Sequence, residues 1–232
     1  MVACACTAVI LIHGLKRNPR DFKPIEKKLK QLNCKVYTVS FPSFGCQLSI
    51  RELAENYLYP LFERMRRDKE VTRVHLIGHS MGGLMIRYLL DEEYKDNGLS
   101  KVGKVIMLGT PNHGSRIIDW VQEYPFINSI LKLFYGVASQ GMYTKCSFPS
   151  IPEEMKKHVV TITGITHEWF DTFFANCIFK GGNDGRVSYT SVGLDGVKNF
   201  SFSVSHWSML TNKTVLSKLV SLLLESELKH QN

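Results

Sequence analysis

The feature that most constrains this chain is a glycine-rich turn around a serine, placed between an apolar run and a helical pattern. The turn is Gly78-His79-Ser80-Met81-Gly82-Gly83, and it follows the apolar run Val74 to Ile77. Apolar residues then recur at helical spacing from Leu84 to Tyr94, so the pattern predicts a strand, a sharp turn and a helix. Glycines permit a strained serine backbone and close packing of the helix on the strand. The Ser80 hydroxyl is therefore expected to stand exposed at the carboxyl edge of a sheet. The alternative is a glycine-rich turn that serves packing alone.

Similar apolar runs recur along the chain and predict further buried strands. These runs are Ala8 to Ile12, Val36 to Phe41, Val102 to Leu108, Val159 to Thr163 and Phe200 to Val204. Helical patterns separate most of them, and this alternation predicts a parallel sheet with helices on both faces. The expected fold class is α/β, with about six mostly parallel strands in one domain that spans the chain.

Helix caps refine this prediction. Ser49 and Glu52 have the spacing of a capping box, which predicts a helix from there to about Met65 with a kink at Pro60. The residues expected on its inward face are Leu53, Tyr57, Leu61 and Met65.

One stretch, residues 112–158, is too long for a simple connection and is interpreted as an insertion over the carboxyl edge of the sheet. Phe126, Ile130 and Phe134 recur every four residues within it and predict an apolar helical face. That face belongs either to a helix packed permanently on the core or to a lid that lines a substrate pocket.

Composition excludes several classes of protein. The 232 residues are 44% hydrophobic and 22% charged, with a net charge of +8, but no nucleic-acid module is recognisable. A run of about 18 apolar residues is missing, so no membrane span is expected. The first residues lack a secretory signal pattern, which favours a cytoplasmic protein. Cys4 and Cys6 have no cluster of further metal ligands nearby, so no metal site is predicted.

A serine hydroxyl becomes a good nucleophile when a base removes its proton, and histidine has the suitable pKa. His206 lies between the last predicted strand and the last predicted helix, on a loop at the carboxyl edge of the sheet. His13, His79 and His113 also lie near that edge. However, His79 adjoins Ser80 and is expected to point away from it. The turn at His13 is better suited to donating hydrogen bonds from its backbone N–H groups. His206 is the preferred base, and a histidine on a surface loop is the alternative.

A carboxylate must orient the imidazole and stabilise its cation. Asp184 lies in the turn Asn183-Asp184-Gly185, between the last two predicted strands. Such a turn also forms for purely local reasons, and Asp171 and Asp195 are rivals in the same interval. Asp184 is preferred because serine, aspartate and histidine then follow in the order expected for a nucleophile-elbow enzyme.

The sequence resembles α/β-hydrolases of the lipase and esterase type, and it is similar to small bacterial lipases and to the GPI-inositol deacylase group. The matching motifs are His13-Gly14-Leu15, Gly78-His79-Ser80-Met81-Gly82-Gly83, Thr110-Pro111-Asn112-His113-Gly114-Ser115, Asn183-Asp184-Gly185 with Val187, and Ser205-His206. They span nearly the whole chain in the order of that family.

The resemblance implies Ser80 as nucleophile, Asp184 as acid, His206 as base, and the backbone N–H groups of Leu15 and Met81 as oxyanion hole. It also implies hydrolysis of small-molecule esters or lipids without a cofactor or metal. Acyl transfer, thioester hydrolysis and a catalytically silent binding module are alternatives on the same fold. Substrate contact is expected from Phe126, Ile130 and Phe134. The basic turn Lys16, Arg17 and Arg20 is expected either to form a solvated rim or to make peripheral contact with a lipid surface.

Overall fold

The computed structural model describes residues 7–43, 47–97, 100–124, 138, 141–166 and 181–228. Its strands are β1 (Thr7–Ile12), β2 (Lys35–Val39), β3 (Arg73–His79), β4 (Val102–Leu108), β5 (Val159–Gly164) and β6 (Lys198–Phe202). All neighbouring strands pair in parallel, in the order β2-β1-β3-β4-β5-β6. The expected α/β class and parallel sheet are therefore confirmed.

Helices connect these strands. They are α1 (Lys23–Lys30), α2 (Ile50–Leu53), α3 (Tyr59–Arg67), α4 (Met81–Asn97), α5 (Arg116–Gln122), α6 (Tyr189–Val192) and α7 (Lys213–Leu228). Short 3₁₀ helices cover Pro19–Phe22, Glu153–His158 and Ser208–Leu210, and a π-helical stretch covers Ala54–Leu58.

The core lies on both faces of the sheet, because side chains alternate along each strand. On β1, Ala8, Ile10 and Ile12 pack in one apolar cluster with residues of α2, α3 and α4. Val9 and Leu11, between them, pack in a second cluster with residues of α1 and α7. The expectation of helices on both faces is confirmed.

The helical segment after Ser49 differs from the prediction in its inward face. The capping box with Glu52 is present. Leu58 and Phe62 are fully buried, whereas Tyr57 and Leu61, which were expected inside, are only half-buried. Leu53 and Met65 are buried as expected. The π-helical stretch between them explains the difference, since its wider turn holds an extra residue and moves the inward positions forward by one, to Leu58 and Phe62.

The insertion at 112–158 is described in part. Helix α5 and the 3₁₀ helix Glu153–His158 lie near its two ends. Asp119 of α5 accepts hydrogen bonds from the N–H and hydroxyl of Thr144, at 3.0 and 2.7 Å, and so joins two parts of the insertion. Phe126, Ile130 and Phe134 lie outside the described residues.

Candidate active site

Ser80 stands in a sharp turn between β3 and α4. Its φ is +55°, a backbone conformation that is strained for a residue with a Cβ. The Ser80 N–H donates to the Leu108 carbonyl at 2.8 Å, and the Ser80 carbonyl accepts from the Gly83 N–H at 3.0 Å. These bonds hold the strained serine at the carboxyl ends of β3 and β4.

Close backbone approach explains the glycines around this serine. A Cβ at Gly78 would lie 2.6 Å from the backbone nitrogen of Gly83. A Cβ at Gly82 would lie 2.2 Å from the Ile12 carbonyl oxygen, and one at Gly83 would lie 2.0 Å from Oγ1 of Thr110. Helix α4 can therefore pack against the strand ends at this distance only where these positions lack a side chain.

The turn after β1 lies directly against the serine hydroxyl. A Cβ at Gly14 would lie 3.3 Å from Oγ of Ser80. The Arg17 N–H closes this turn by donating to the Gly14 carbonyl at 3.2 Å. Leu15 follows Gly14, and Met81 begins α4, where the helix dipole favours negative charge. The structure thus brings the backbone of both predicted oxyanion-hole residues to the neighbourhood of Ser80.

Asp184 and His206 form a buried pair. The His206 Nδ1–H donates to Oδ2 of Asp184 at 2.7 Å, and the two residues are only 3% and 1% exposed. Oδ1 of Asp184 accepts from the N–H groups of Arg186 and Val187 at 2.9 and 2.8 Å. Because both carboxylate oxygens are engaged, the imidazole is held in the tautomer whose Nε2 can take a proton.

The end of β4 lies between this pair and the serine. A Cβ at Gly109 would lie 3.0 Å from both Oδ2 of Asp184 and Nδ1 of His206. Gly109 follows Leu108, whose carbonyl holds the Ser80 N–H. The structure therefore brings the three predicted residues together at the carboxyl edge of the sheet.

The rival candidates have other surroundings. Asp195 is exposed, and Asp171 lies outside the described residues. The His13 ring stacks on Phe41 with 3.9 Å between ring centroids, and burial lowers its pKa. Nε2 of His113 donates to a backbone carbonyl at 2.9 Å.

His79 has a contact that the sequence did not predict. Its fully buried ring lies 4.7 Å from the His206 ring between centroids, and its Nε2–H donates to the His206 carbonyl at 2.9 Å. The two residues are separated by 127 positions, so no local pattern could pair them. The expectation that His79 points away from the serine left out this contact with the base.

Trp207 joins three loops beside His206. The guanidinium carbons of Arg17 and Arg186 lie 4.4 and 5.5 Å from the centre of the indole. The His206 ring meets the same indole edge-on, with 5.2 Å between centroids. Cation–π contacts therefore connect the turn after β1 and the loop of Asp184 to the base.

Arg87 was also missed, because an arginine in an apolar helix pattern reads as an exposed position. It is 6% exposed, and its guanidinium donates to the backbone carbonyls of Asn112, Phe148 and Pro149 at 2.7, 3.2 and 2.8 Å. Burial lowers its pKa to about 10, so it stays charged at neutral pH. Helix α4 follows the serine, and through Arg87 it holds residues near both ends of the insertion.

Within the described ranges, no three His, Cys, Asp or Glu side chains cluster closely enough to hold a metal ion. The helices of this part of the chain are also too short or too polar to cross a membrane.

Comparison with a family model decides the relationship. The model for palmitoyl protein thioesterase matches residues 8–160, which is more than half of the 232 residues. The chain belongs to the palmitoyl protein thioesterase family. The match includes the turn after β1, the Ser80 turn and β4, and it ends before Asp184 and His206.

A relative in sequence supports the wider lipase and esterase class. A triacylglycerol lipase of Pseudarthrobacter phenanthrenivorans is 31% identical over 121 residues, which is 50% of this chain and 36% of that protein. The chain thus spans about a third of the length of this relative.

Two solved structures share the fold. A Bacillus licheniformis lipase in its mature form has a TM-score of 0.71 and 18% identity, over 94% of this chain and 92% of the other. A metagenomic carboxyl esterase has a TM-score of 0.68 and 14% identity, over 99% and 76%. The predicted α/β-hydrolase resemblance is therefore confirmed.

Proposed function

We propose that this member of the palmitoyl protein thioesterase family is a serine hydrolase of carboxylic esters. The observation that carries the proposal is the buried Asp184–His206 pair, which lies at the edge of the sheet where the strained Ser80 stands. A base held by a carboxylate and a serine on a sharp turn are the parts of an arrangement that activates a hydroxyl.

In the proposed reaction, Oγ of Ser80 attacks the ester carbonyl carbon while its proton passes to Nε2 of His206. The N–H groups of Leu15 and Met81 stabilise the oxyanion that forms. The bond to the leaving alcohol then breaks, and His206 protonates that alcohol. Water attacks the acyl-enzyme, again with His206 as base, and releases the acid while Ser80 regains its proton.

A second candidate uses the same site on a thioester. The family match supports it, and the mechanism requires only that a thiol replaces the alcohol as leaving group. Turnover of an oxygen ester and a thioester with the same acyl chain discriminates the two, since kcat/KM ranks the leaving groups directly.

We propose small-molecule esters or lipids as substrates and a single catalytic domain in which residues 112–158 cover the site. Phe126, Ile130 and Phe134 are proposed to contact the acyl chain. Support comes from Arg87, which holds both described ends of the insertion on the helix that follows Ser80. Each buried CH₂ contributes about 0.8 kcal/mol, so an apolar wall predicts a preference for medium-chain esters over acetates.

We further propose peripheral contact with a lipid surface through the turn after β1. Lys16 and Arg20 are exposed there, while Arg17 forms an ion pair with Asp21 at 3.0 Å.

The central experiment measures hydrolysis of esters of increasing chain length, and labelling by a fluorophosphonate, in the wild type and in Ser80→Ala. The variant is expected to lose at least about 10³-fold in kcat and all labelling, because only the nucleophile is removed. Circular dichroism checks that the fold is kept. Undiminished turnover in Ser80→Ala would refute the proposal.

A further inference from the structure

We infer that His79 is a positioning residue that fixes the base His206 relative to the nucleophile Ser80. The inference rests on the proposed function. Its basis is a hydrogen bond of 2.9 Å from Nε2 of His79 to the His206 carbonyl, made by the residue that directly precedes the serine.

The bonds of His206 show why this contact matters. The described residues give it three hydrogen bonds. Its N–H donates to the Asp184 carbonyl and its Nδ1–H to the Asp184 carboxylate, so two of them hold the base to the acid. The third, from His79, is the one that reaches the strand of the nucleophile. Without it, the acid and base keep their mutual geometry but lose this link to Ser80.

The protonation state of His79 suits this role. A carbonyl accepts, so Nε2 must carry the hydrogen, and the neutral ring then has a lone pair on Nδ1, which has no hydrogen-bond partner within the described ranges. Complete burial and the neighbouring His206 hold the pKa of His79 well below its usual value of 6.5. A neutral ring adds no second positive charge beside His206 when the base takes the proton from Ser80.

Two substitutions and one control test the inference. His79→Phe keeps the ring but removes the donor, and His79→Gln restores a donor on a flexible side chain. His75→Gln is the control, because His75 is another buried histidine of the same strand, but it lies at the opposite edge of the sheet and bonds to Glu227.

A small displacement of a reacting group costs about 10²-fold in rate. His79→Phe should therefore lose about 10- to 100-fold in kcat with KM changed less than about threefold, and His79→Gln should recover part of that loss. His75→Gln should stay within about twofold of the wild type. Equal kcat in His79→Phe and wild type, or a loss that Gln does not relieve and that parallels thermal stability, overturns the inference.

A measurement without turnover separates this inference from the proposed activity. Nitrogen-15 spectra of the histidine rings should show His79 as the neutral Nε2–H tautomer at neutral pH and below pH 6.5. A cationic ring or the Nδ1–H tautomer at neutral pH overturns the inference even in a protein that hydrolyses esters. If the wild type hydrolyses nothing while the tautomer is as expected, the proposed function fails and the hydrogen bond stands.

Discussion

The described part of the chain contains two pairs of a carboxylate and a buried histidine, one at each edge of the same sheet. At the carboxyl edge, Nδ1 of His206 lies 2.7 Å from Asp184, and at the amino edge, Nε2 of His75 lies 3.0 Å from Glu227. The histidine side chains are 4% and 1% exposed, and the carboxylates 0% and 14%. Bond length and histidine burial therefore do not distinguish the pair that we propose to be catalytic from the other pair.

The second nitrogen of each imidazole does distinguish them. Nδ1 of His75 accepts from the Lys104 N–H at 2.7 Å, so both of its ring nitrogens are used within the fold. Glu227 is further tied to Thr7 and Arg73. At the carboxyl edge the bond to Asp184 uses Nδ1 of His206, and the described residues show no hydrogen bond to its Nε2. A pair of this kind can move a proton only where one nitrogen is left for a substrate or a nucleophile.

The sharpest test replaces each carboxylate by its amide. Asp184→Asn should lower kcat by about 10³- to 10⁴-fold, because the imidazole loses both its tautomer and the charge that supports its cation. Glu227→Gln should change kcat less than about threefold, since its histidine touches no reacting group. Ester turnover under matched conditions measures both.

Thermal unfolding of the two variants serves as the control for misfolding. A loss of activity in Glu227→Gln as large as that in Asp184→Asn would remove the distinction between the edges. A larger loss in Asp171→Asn or Asp195→Asn would show that Asp184 is not the acid.

The pair of His75 and Glu227 at the amino edge should affect the free energy of unfolding rather than kcat. Burial, outweighing the nearby Glu227, lowers the pKa of His75 from 6.5, while Arg73 and Lys104 act in the same direction as burial. The folded state then keeps His75 neutral where the unfolded chain takes up a proton. Stability is thus complete above about pH 6.5 and falls as the pH drops below it, by up to about 1.4 kcal/mol per pH unit for this residue.

Urea unfolding of wild type and His75→Gln at about pH 7.5 and 5.5 tests this dependence. The variant should lose up to about 1.4 kcal/mol less than the wild type between the two values. The bond to His75 lowers the pKa of Glu227, so that carboxylate's contribution is lost only at lower pH, through its folded pKa. The pKa values of His13 and His79 are also lowered in the folded state, but their contributions to stability are the same in both proteins and cancel in the comparison. Identical pH dependence would show that His75 is not held neutral.

The sequence predicted those strands and helices that depend on the pattern of neighbouring residues. Apolar runs predicted each of the six strands that the structure describes, and β4 was predicted with its observed bounds from Val102 to Leu108. The inward face of the segment after Ser49 was predicted correctly at Leu53 and Met65 but wrongly at Tyr57 and Leu61, because the π-helical stretch adds a residue that periodicity cannot reveal. At the candidate active site, too, the sequence predicted local features but not contacts between distant segments.

Motif spacing led to Ser80, Asp184 and His206, which the structure brings to one edge of the sheet. The contacts of His79 with His206, and of Arg87 with Asn112, depend on chain segments far apart in sequence. Such contacts follow from how the sheet assembles, so no local pattern could have predicted them.

Surface charge gives the smallest expected difference between the edges. At the amino edge, Arg66 and Arg67 both pair with Glu63, whereas Arg20, near the carboxyl edge, is an exposed cation of the basic turn. A basic side chain close to an anionic membrane contributes about 1 kcal/mol of attraction. If the basic turn faces such a surface, Arg20→Gln should weaken binding to phosphatidylserine vesicles about fivefold, and added salt should reduce that difference.

Arg67→Gln is the matched control, because it removes one cation from the opposite edge and should change vesicle binding less than about twofold. Cosedimentation with phosphatidylserine and with phosphatidylcholine vesicles separates charge attraction from apolar insertion. Equal weakening by both substitutions would mean that net charge alone draws the protein to anionic lipid. A wild type that binds neither vesicle would refute the lipid contact while leaving ester hydrolysis at Ser80 untouched. In that case the two edges would differ in their proposed chemistry but not in lipid binding.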